Sequence, residues 1–347
     1  MQAVATLYTL SQFYWPTLFP LKFTPSLKWE QLEGEFGAPV AGDVIAYDSR
    51  APRKRRTVVS KLSGDIAKIG IAREKTESEM NEYYQLLRMA DDEAKKRLVE
   101  WIWEDQEFVY DGVNARLEYL ALRAASVGKV ALTISNNEGI VTEANVDFLV
   151  PANNKSGVTI VINAANAATS LPITKIKAIV KAAKAKGKKL NYILTDQDTV
   201  DNILISKETI DTVAPWVMQA TQLTSIPSLA SLNSALKGLN LPVIAVIESY
   251  IQIEIKGTRT NVNPWEPGVM LFSENPTLGQ TYHAPLADEF VESTTALKTK
   301  RNHVLIKRFA QEEPLVETTL GIANAFPVLA DAAGKWLVDT LNTSWSK

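Results

Sequence analysis

The chain has 347 residues, of which 46% are hydrophobic and 22% charged, and its net charge is −2. This composition is typical of a globular protein of about two domains, and it argues against wholesale disorder and against a generic polyanion binder. The absence of cysteine excludes disulfides, thiolate metal sites and cysteine nucleophiles. We expect a soluble protein made in a cytoplasm, because the sequence shows neither a secretory leader nor the ~20-residue apolar run of a membrane span.

Residues 1–37 are predicted to form an extended arm. Three prolines prevent a long helix there, and eight aromatic side chains need a surface on which to rest. Residues expected to pack in this way include Tyr14, Trp15, Phe19 and Trp29. That surface is either the chain's own core or another molecule.

Residues 38–73 are predicted to form a two-stranded ribbon. Residues 43–47 and 56–61 favour strands, and residues 48–52 between them favour a turn. The ribbon carries eight basic residues and three acidic ones. The basic residues are densest at Arg50, Arg53, Lys54, Arg55 and Arg56.

Residues 74–127 are predicted to be helical, since apolar residues recur at steps of three and four and Gly128 provides a stop. Between Glu74 and Arg123 there are thirteen acidic and seven basic residues. The opposite charges of ribbon and helix suggest that they contact each other, within one chain or between copies. The acids expected to meet the basic ribbon are Glu100, Glu104 and Asp105.

The remaining chain mixes strands and helices without a regular βαβ order, so the predicted fold class is α+β. Strands are predicted at 129–134 and 140–143, which form a hairpin, and at 146–150, 157–162, 190–194, 241–247, 251–255 and 268–272. Pro172 is predicted to open a helix that Gly187 ends, Thr195 or Asp196 to cap a short helix, and residues 227–239 to form another. Residues 281–329 are mainly strand.

A lysine-rich segment stands out at residues 148–195, where eight lysines occur without any acidic residue. One interpretation is a solvated helix face whose C-terminal lysines favour the helix dipole. The other is non-specific contact with phosphate groups. The solvated face is the simpler interpretation, and the sequence leaves both open.

Sequence motifs for catalysis are absent: there is no phosphate-binding loop, dinucleotide fingerprint, zinc-protease motif or nucleophile elbow. The best carboxylate cluster, Asp196, Asp198 and Asp201, lacks the EF-hand pattern and is typical of a helix start. His283 and His303 are interpreted as packed or surface residues, not as catalytic bases. We therefore predict a protein that is not an enzyme and needs no cofactor or metal.

The order of these parts carries a family resemblance. The segments involved are Phe19-Pro20-Leu21-Lys22-Phe23-Thr24 with Trp29-Glu30, residues 37–56, the helix after Arg73, residues 267–272, residues 278–282, and residues 318–329 with Ala325-Phe326-Pro327. Together they resemble the major capsid proteins of tailed bacteriophages with the Hong Kong 97-like fold, in the lambda-like branch.

The resemblance implies a structural virion protein, assembled in the host cytoplasm, whose pentamers and hexamers form an icosahedral head around double-stranded DNA. Its partners would be further copies, a portal, and scaffolding or decoration proteins. Residues 1–37 would be the arm, 38–73 an extended loop reaching a neighbour, 74–163 the peripheral domain with its spine helix, 164–298 the axial domain, and 299–347 a return to the peripheral domain with a C-terminal tail.

Two alternatives remain at this level. A bacterial compartment shell of the same fold would enclose enzymes instead of a genome. A carboxylate-based, metal-dependent enzyme would use Asp196 and Asp198. The short aromatic N-terminus also departs from relatives that begin with a long charged scaffolding segment, so a separate scaffolding protein is expected.

Overall fold

The structure is a computed structural model that describes residues 12–34, 43–44, 59–88, 92–139, 145–217 and 226–347. Its first half contains a short helix, a set of strands and one very long helix. These elements are α1 Trp15–Leu18, β1 Leu21–Phe23, β2 Lys28–Gly34, β3 Val59–Asp65, β4 Lys68–Lys75, α2 Glu77–Arg88, α3 Asp92–Val127, β5 Lys129–Ala131, β6 Asn145–Asp147 and β7 Lys155–Gly157.

The second half begins with helices and ends with long strands. Its elements are α4 Pro172–Ala185, β8 Tyr192–Thr195, α5 Gln197–Leu204, α6 Lys207–Val217, α7 Leu229–Gly238, β9 Val243–Val246, β10 Ile251–Ile255, β11 Thr258–Val262, β12 Val269–Ser273, β13 Gly279–Ala284, α8 Ala287–Phe290, β14 Ala296–Arg301, β15 Val304–Glu312, β16 Leu315–Leu329 and β17 Trp336–Asp339. Within the described ranges, no helix is long and apolar enough to cross a bilayer.

A six-stranded sheet is built around β16. β16 pairs with β15 over residues 315–322, with β4 over residues 317–324 and with β13 over residues 324–329, and β15 pairs in turn with β14. β1 completes the sheet in parallel with β13. The helix α3, about 54 Å long at 1.5 Å per residue, packs on this sheet through its predicted apolar face, of which Val109, Val113, Leu117, Leu120 and Ala124 are buried.

A five-stranded sheet, ordered β7-β17-β12-β8-β9, separates two hydrophobic cores. Side chains of successive strand residues point to opposite faces. Leu271 and Leu337 belong to the core around α3, whereas Phe272, Trp336 and Val338 belong to the core formed with the helices that follow β7. The central strands of this sheet are therefore apolar on both faces.

The ribbon and the start of the helix differ from their predicted bounds. In the ribbon, β3 pairs with β2, in a register that runs from Lys28↔Asp65 to Gly34↔Val59. The first strand of the ribbon therefore lies in the predicted arm. Of the predicted strand 43–47, only residues 43–44 are described. Residues 68–75, assigned to the ribbon and the start of the helix, form β4 of the large sheet. Residues 68–72 favour a strand, and they join the large sheet because β16, about 250 residues later in the chain, provides a pairing partner.

Later elements match the prediction more closely. α4 begins at Pro172 and α5 is capped by Asp196, as predicted. After α3, β5 pairs with β6, and the predicted return strand at 140–143 lies outside the described residues. Of the predicted strand at 157–162, only residue 157 is in a strand, at the end of β7. α6 was not predicted; Pro215 lies inside it.

The predicted domain boundaries do not coincide with the changes of sheet. β13 and the first three residues of β14 lie in the range predicted for the axial domain, 164–298, and belong to the six-stranded sheet. β17 lies in the range 299–347, predicted as a return to the peripheral domain with a C-terminal tail, and is an inner strand of the five-stranded sheet. These assignments depend on pairing partners that are distant in sequence.

Candidate functional site

Four aromatic side chains of the arm lie on the chain's own core. Trp15 and Phe19 are fully buried, Trp29 is 1% exposed, and Tyr14 is half-buried. Because α1 has no N-cap side chain of its own, the carboxylate of Glu118 on α3 accepts the backbone N–H groups of Tyr14 and Trp15 at 3.1 and 2.8 Å. The arm is thereby attached to the middle of the long helix.

Glu118 is itself buried. Burial raises the pKa of its carboxyl, and the hydrogen bonds from Tyr14 and Trp15 oppose that rise because they favour the charged form. The desolvation of the Glu118 carboxylate is therefore partly offset by the arm's two N–H groups, together with a hydrogen bond from the Ser249 side chain.

His303 also packs against the buried Trp15 of the arm. Its ring meets the Trp15 ring edge to face, with centroids 5.5 Å apart, and within the described residues neither ring nitrogen has a hydrogen-bond partner. Burial, with a smaller effect from His283, lowers the pKa of His303 to about 4. This imidazole is neutral at pH 7 and acts as a packing group, as predicted.

The ribbon is anchored at its base. Trp29 of β2 stacks on Phe326 of the large sheet, with centroids 6.5 Å apart, and its indole covers Gly64 of β3, where a Cβ would lie 2.9 Å from the ring. Gln31 donates to the carbonyl of Leu329 at 3.2 Å. The base of the ribbon is therefore fixed to the six-stranded sheet.

The basic residues predicted to make subunit contacts lie outside the described residues. They are Arg50, Arg53, Lys54, Arg55 and Arg56, in the segment that connects β2 with β3.

The three predicted acids of the long helix differ in their surroundings. Glu104 is exposed and its carboxylate accepts from Arg73 at 3.2 Å. Asp105 is buried and forms ion pairs with Lys75 and Arg73 of β4. Asp105 is therefore paired within its own chain, and its contact with the basic segment at residues 50–56 stays a prediction. The side chain of Glu100 lies outside the described residues.

Two further ion pairs of the long helix were not found from the sequence. Arg301 of β14 binds Glu107 at 2.6 Å and stacks on the ring of Tyr110. Arg123 near the end of α3 binds Glu266. The partners are 194 and 143 residues apart in the chain, so no local pattern could have indicated them.

The aspartate cluster has a structural role. Asp196 accepts hydrogen bonds from the backbone N–H and the hydroxyl of Thr199, at 3.3 and 2.6 Å, and from the N–H of Gly268 at 3.3 Å. Among the residues that the structure describes, no three histidine or carboxylate side chains are grouped to hold a metal ion. The interpretation as a helix start is confirmed for Asp196, which weakens the carboxylate-enzyme alternative.

Comparisons with known proteins agree on one family. The family model described as phage major capsid protein E matches residues 32–336. A capsid protein structure from a prophage of E. coli CFT073 is similar with a TM-score of 0.58 and 15% identity, covering 97% of each chain. A phage-related protein of Bordetella bronchiseptica RB50 is similar with a TM-score of 0.52 and 12% identity, covering 98% of this chain and 95% of that one. No curated protein matches the sequence.

The family match spans most of the chain, from the ribbon through the long helix and both sheets to β17. The fold agrees with it, since the α+β architecture is shared over nearly the full length with a prophage capsid protein. The chain therefore belongs to the phage major capsid protein E family and is a tailed-phage major capsid protein with the Hong Kong 97-like fold.

Proposed function

We propose that pentamers and hexamers of this chain close into an icosahedral head that encloses double-stranded DNA. The observation that carries the proposal is the match of the capsid-protein family to residues 32–336. Portal and scaffolding or decoration proteins are the further partners that we propose, with assembly in the host cytoplasm. Family membership favours this role over a bacterial compartment shell.

The two hydrophobic cores suggest how a subunit is divided. The core around α3 and the six-stranded sheet includes the arm and the base of the ribbon, and we assign it to the peripheral part. The core formed by α4, α5, α6 and α7 on the other face of the five-stranded sheet has its own apolar interior. We assign this second core to the axial part, which would gather around the five-fold and six-fold axes.

For the contact between subunits, we propose that the basic segment 50–56 binds acids of a neighbour's long helix. Five of its seven residues are basic, and the carboxylate side chain of Glu104 on α3 is 64% exposed. Glu100 lies one helical turn earlier, on the same face of α3. Each exposed pair contributes only about 0–1 kcal/mol, but a closed shell repeats the contact in every subunit.

Particle size tests the proposed function. The full-length chain, alone and with its scaffolding protein, should form uniform hollow particles in negative-stain images and light scattering. Double-stranded DNA inside particles isolated from an infection would support the head, and enclosed enzymes would support the compartment. A subunit that remains small even with the scaffolding protein would contradict both.

Charge reversal tests the contact. The variant Arg53→Glu/Arg55→Glu/Arg56→Glu should remain folded by circular dichroism but fail to form particles, because it repels the acids that it normally meets. The matched control reverses three exposed lysines elsewhere, Lys129, Lys237 and Lys256, and should still assemble. Adding Glu100→Arg and Glu104→Arg should restore particles. Normal assembly of the first variant would show that these arginines are not the contact.

A further inference from the structure

Three lysines of the lysine-rich segment form one exposed face of α4. Its apolar residues Ile173, Ile176, Ile179, Val180 and Ala183 are buried in the second core and hold the helix in a fixed orientation. Lys177, Lys181 and Lys184 are exposed on the opposite side. Their spacing of four and three residues places them in one stripe, about 10 Å long at 1.5 Å per residue.

Contacts within the chain account for only some of the basic residues in this segment. Lys188 binds Asp331 at 3.1 Å, and Lys186 donates to Asn154 at 2.7 Å. Within the described part of the chain, no carboxylate pairs with Lys177, Lys181 or Lys184.

The helix dipole does not explain the stripe. It favours cations in the last turn, where α4 has Lys184 alone. The N-terminal end of α4 is already occupied by the carboxylate of Glu208, which accepts the N–H groups of Ile173 and Thr174 at 2.8 and 3.0 Å. Like charges three and four residues apart also destabilise a helix slightly, so the stripe lowers the stability of the isolated subunit.

The composition of this face indicates the kind of partner. Besides the three lysines, the exposed positions of the helix between residues 177 and 185 are Ala178, Ala182 and Ala185. Lysine and alanine are both depleted in protein–protein interfaces, which are anchored by aromatic, methionine and arginine side chains. Neutralisation of phosphates by lysine requires no such anchors and no base-specific geometry.

We propose that the Lys177–Lys181–Lys184 stripe of α4 is a sequence-independent contact for the phosphate backbone of the packaged double-stranded DNA. This inference rests on the proposed function, and it adds that this face of the subunit lines the interior of the head. The stripe's length corresponds to about three base-pair steps of 3.4 Å along the duplex axis.

The test measures binding of a fluorescent 30-base-pair duplex by the unassembled full-length chain at several salt concentrations, because a closed shell would conceal an interior face. The variant Lys177→Gln/Lys181→Gln/Lys184→Gln should bind about tenfold or more weakly, and the slope of log K against log salt should decrease by about 2.7 for three lost phosphate contacts. Its melting temperature should equal or slightly exceed that of the wild type, because the repulsion between lysines is removed.

The control variant Lys129→Gln/Lys237→Gln/Lys256→Gln removes the same charge from other exposed positions and should keep the slope of the wild type. Equal slopes for both triple variants, or no duplex binding by the wild type at low salt, would overturn the proposal. So would a stripe variant that binds DNA normally but no longer forms particles, because the stripe would then be a protein contact. Failure of the wild type to assemble would instead contradict the proposed function.

Discussion

At the scale of single residues, two buried titratable groups flank the arm and respond to pH in opposite directions. Burial lowers the pKa of His303 and raises that of Glu118. For His303 the folded pKa lies below the unfolded value, so the folded state loses stability as the pH falls from about 6.5 to about 4. For Glu118 the raised pKa works against stability at neutral pH, and the arm's two N–H donors limit that effect.

His303→Phe should therefore remove an acid sensitivity. Phe fills the site against Trp15 without a group to protonate. Between pH 7 and pH 4.5, the wild type should lose about 2–3 kcal/mol more unfolding free energy than the variant, from a shift of about 2.5 pKa units. Urea unfolding of the unassembled chain at both pH values measures this. His283→Gln, at a half-buried position, should remove less of the acid sensitivity than His303→Phe, although burial lowers the pKa of His283 as well. Parallel pH dependences of wild type and His303→Phe would contradict the argument.

At the scale of elements, the long helix approaches the large sheet closely at two glycines. A Cβ on Gly321 of β16 would lie 2.8 Å from the carbonyl oxygen of Val109, and a Cβ on Gly112 of α3 would lie 2.6 Å from the side chain of Ile71. Glycine in a strand otherwise weakens it. The absence of a side chain is therefore what allows α3 and β16 to pack at this distance.

Gly321→Ala should destabilise the subunit, although strand propensity alone favours alanine by about 0.5–1 kcal/mol. The added methyl meets backbone atoms that cannot move without displacing α3, and overpacking of this kind costs about 1–3 kcal/mol. Denaturant unfolding of the unassembled chain measures the change. Gly139→Ala, whose added Cβ would have, among the described residues, only the Asn137 side chain within 4 Å, is the control and should be near neutral. A stabilised Gly321→Ala variant would show that the helix and sheet are not in close contact.

At the scale of the whole molecule, the five-stranded sheet connects the two cores. β17 is an inner strand, between β7 and β12, and its residues alternate between the core around α3 and the core around α4. A substitution on one face of β17 is therefore expected to destabilise both cores, because local unfolding of this strand removes side chains from both of them.

Leu337→Ala tests this coupling. Leu337 is fully buried in the core around α3, and its truncation should cost about 2–5 kcal/mol. Amide hydrogen exchange should accelerate in α3 and in α4 by a similar factor, although α4 does not share that core. Faster exchange confined to α3 would mean that the cores open independently. Leu297→Ala, at a side chain that is 72% exposed, should leave exchange unchanged in both helices.

The local elements were predictable where a pattern is complete within a few residues. The three- and four-residue spacing of apolar side chains predicted α3, Pro172 predicted the start of α4, and Asp196 predicted the cap of α5. Of the candidate contact residues, the aromatic arm residues were recognised as needing a surface, whereas the internal role of Asp105 could not be recognised. Its cationic partner Lys75 lies on a strand whose own pairing with β16 spans more than 240 residues.

By itself, the sequence determined the α+β class, the long amphipathic helix, the uneven distribution of charge and the resemblance to a capsid family. Each of these depends on composition or on neighbours within a few residues. Only the tertiary structure decided that β2 is the ribbon's first strand, that Trp15, Phe19 and Trp29 of the arm lie in the chain's own core, that Asp105 is ion-paired internally and that β17 joins both cores. The physical reason is that strand pairing and ion pairing are chosen among distant partners, and the choice follows from burial in the assembled fold.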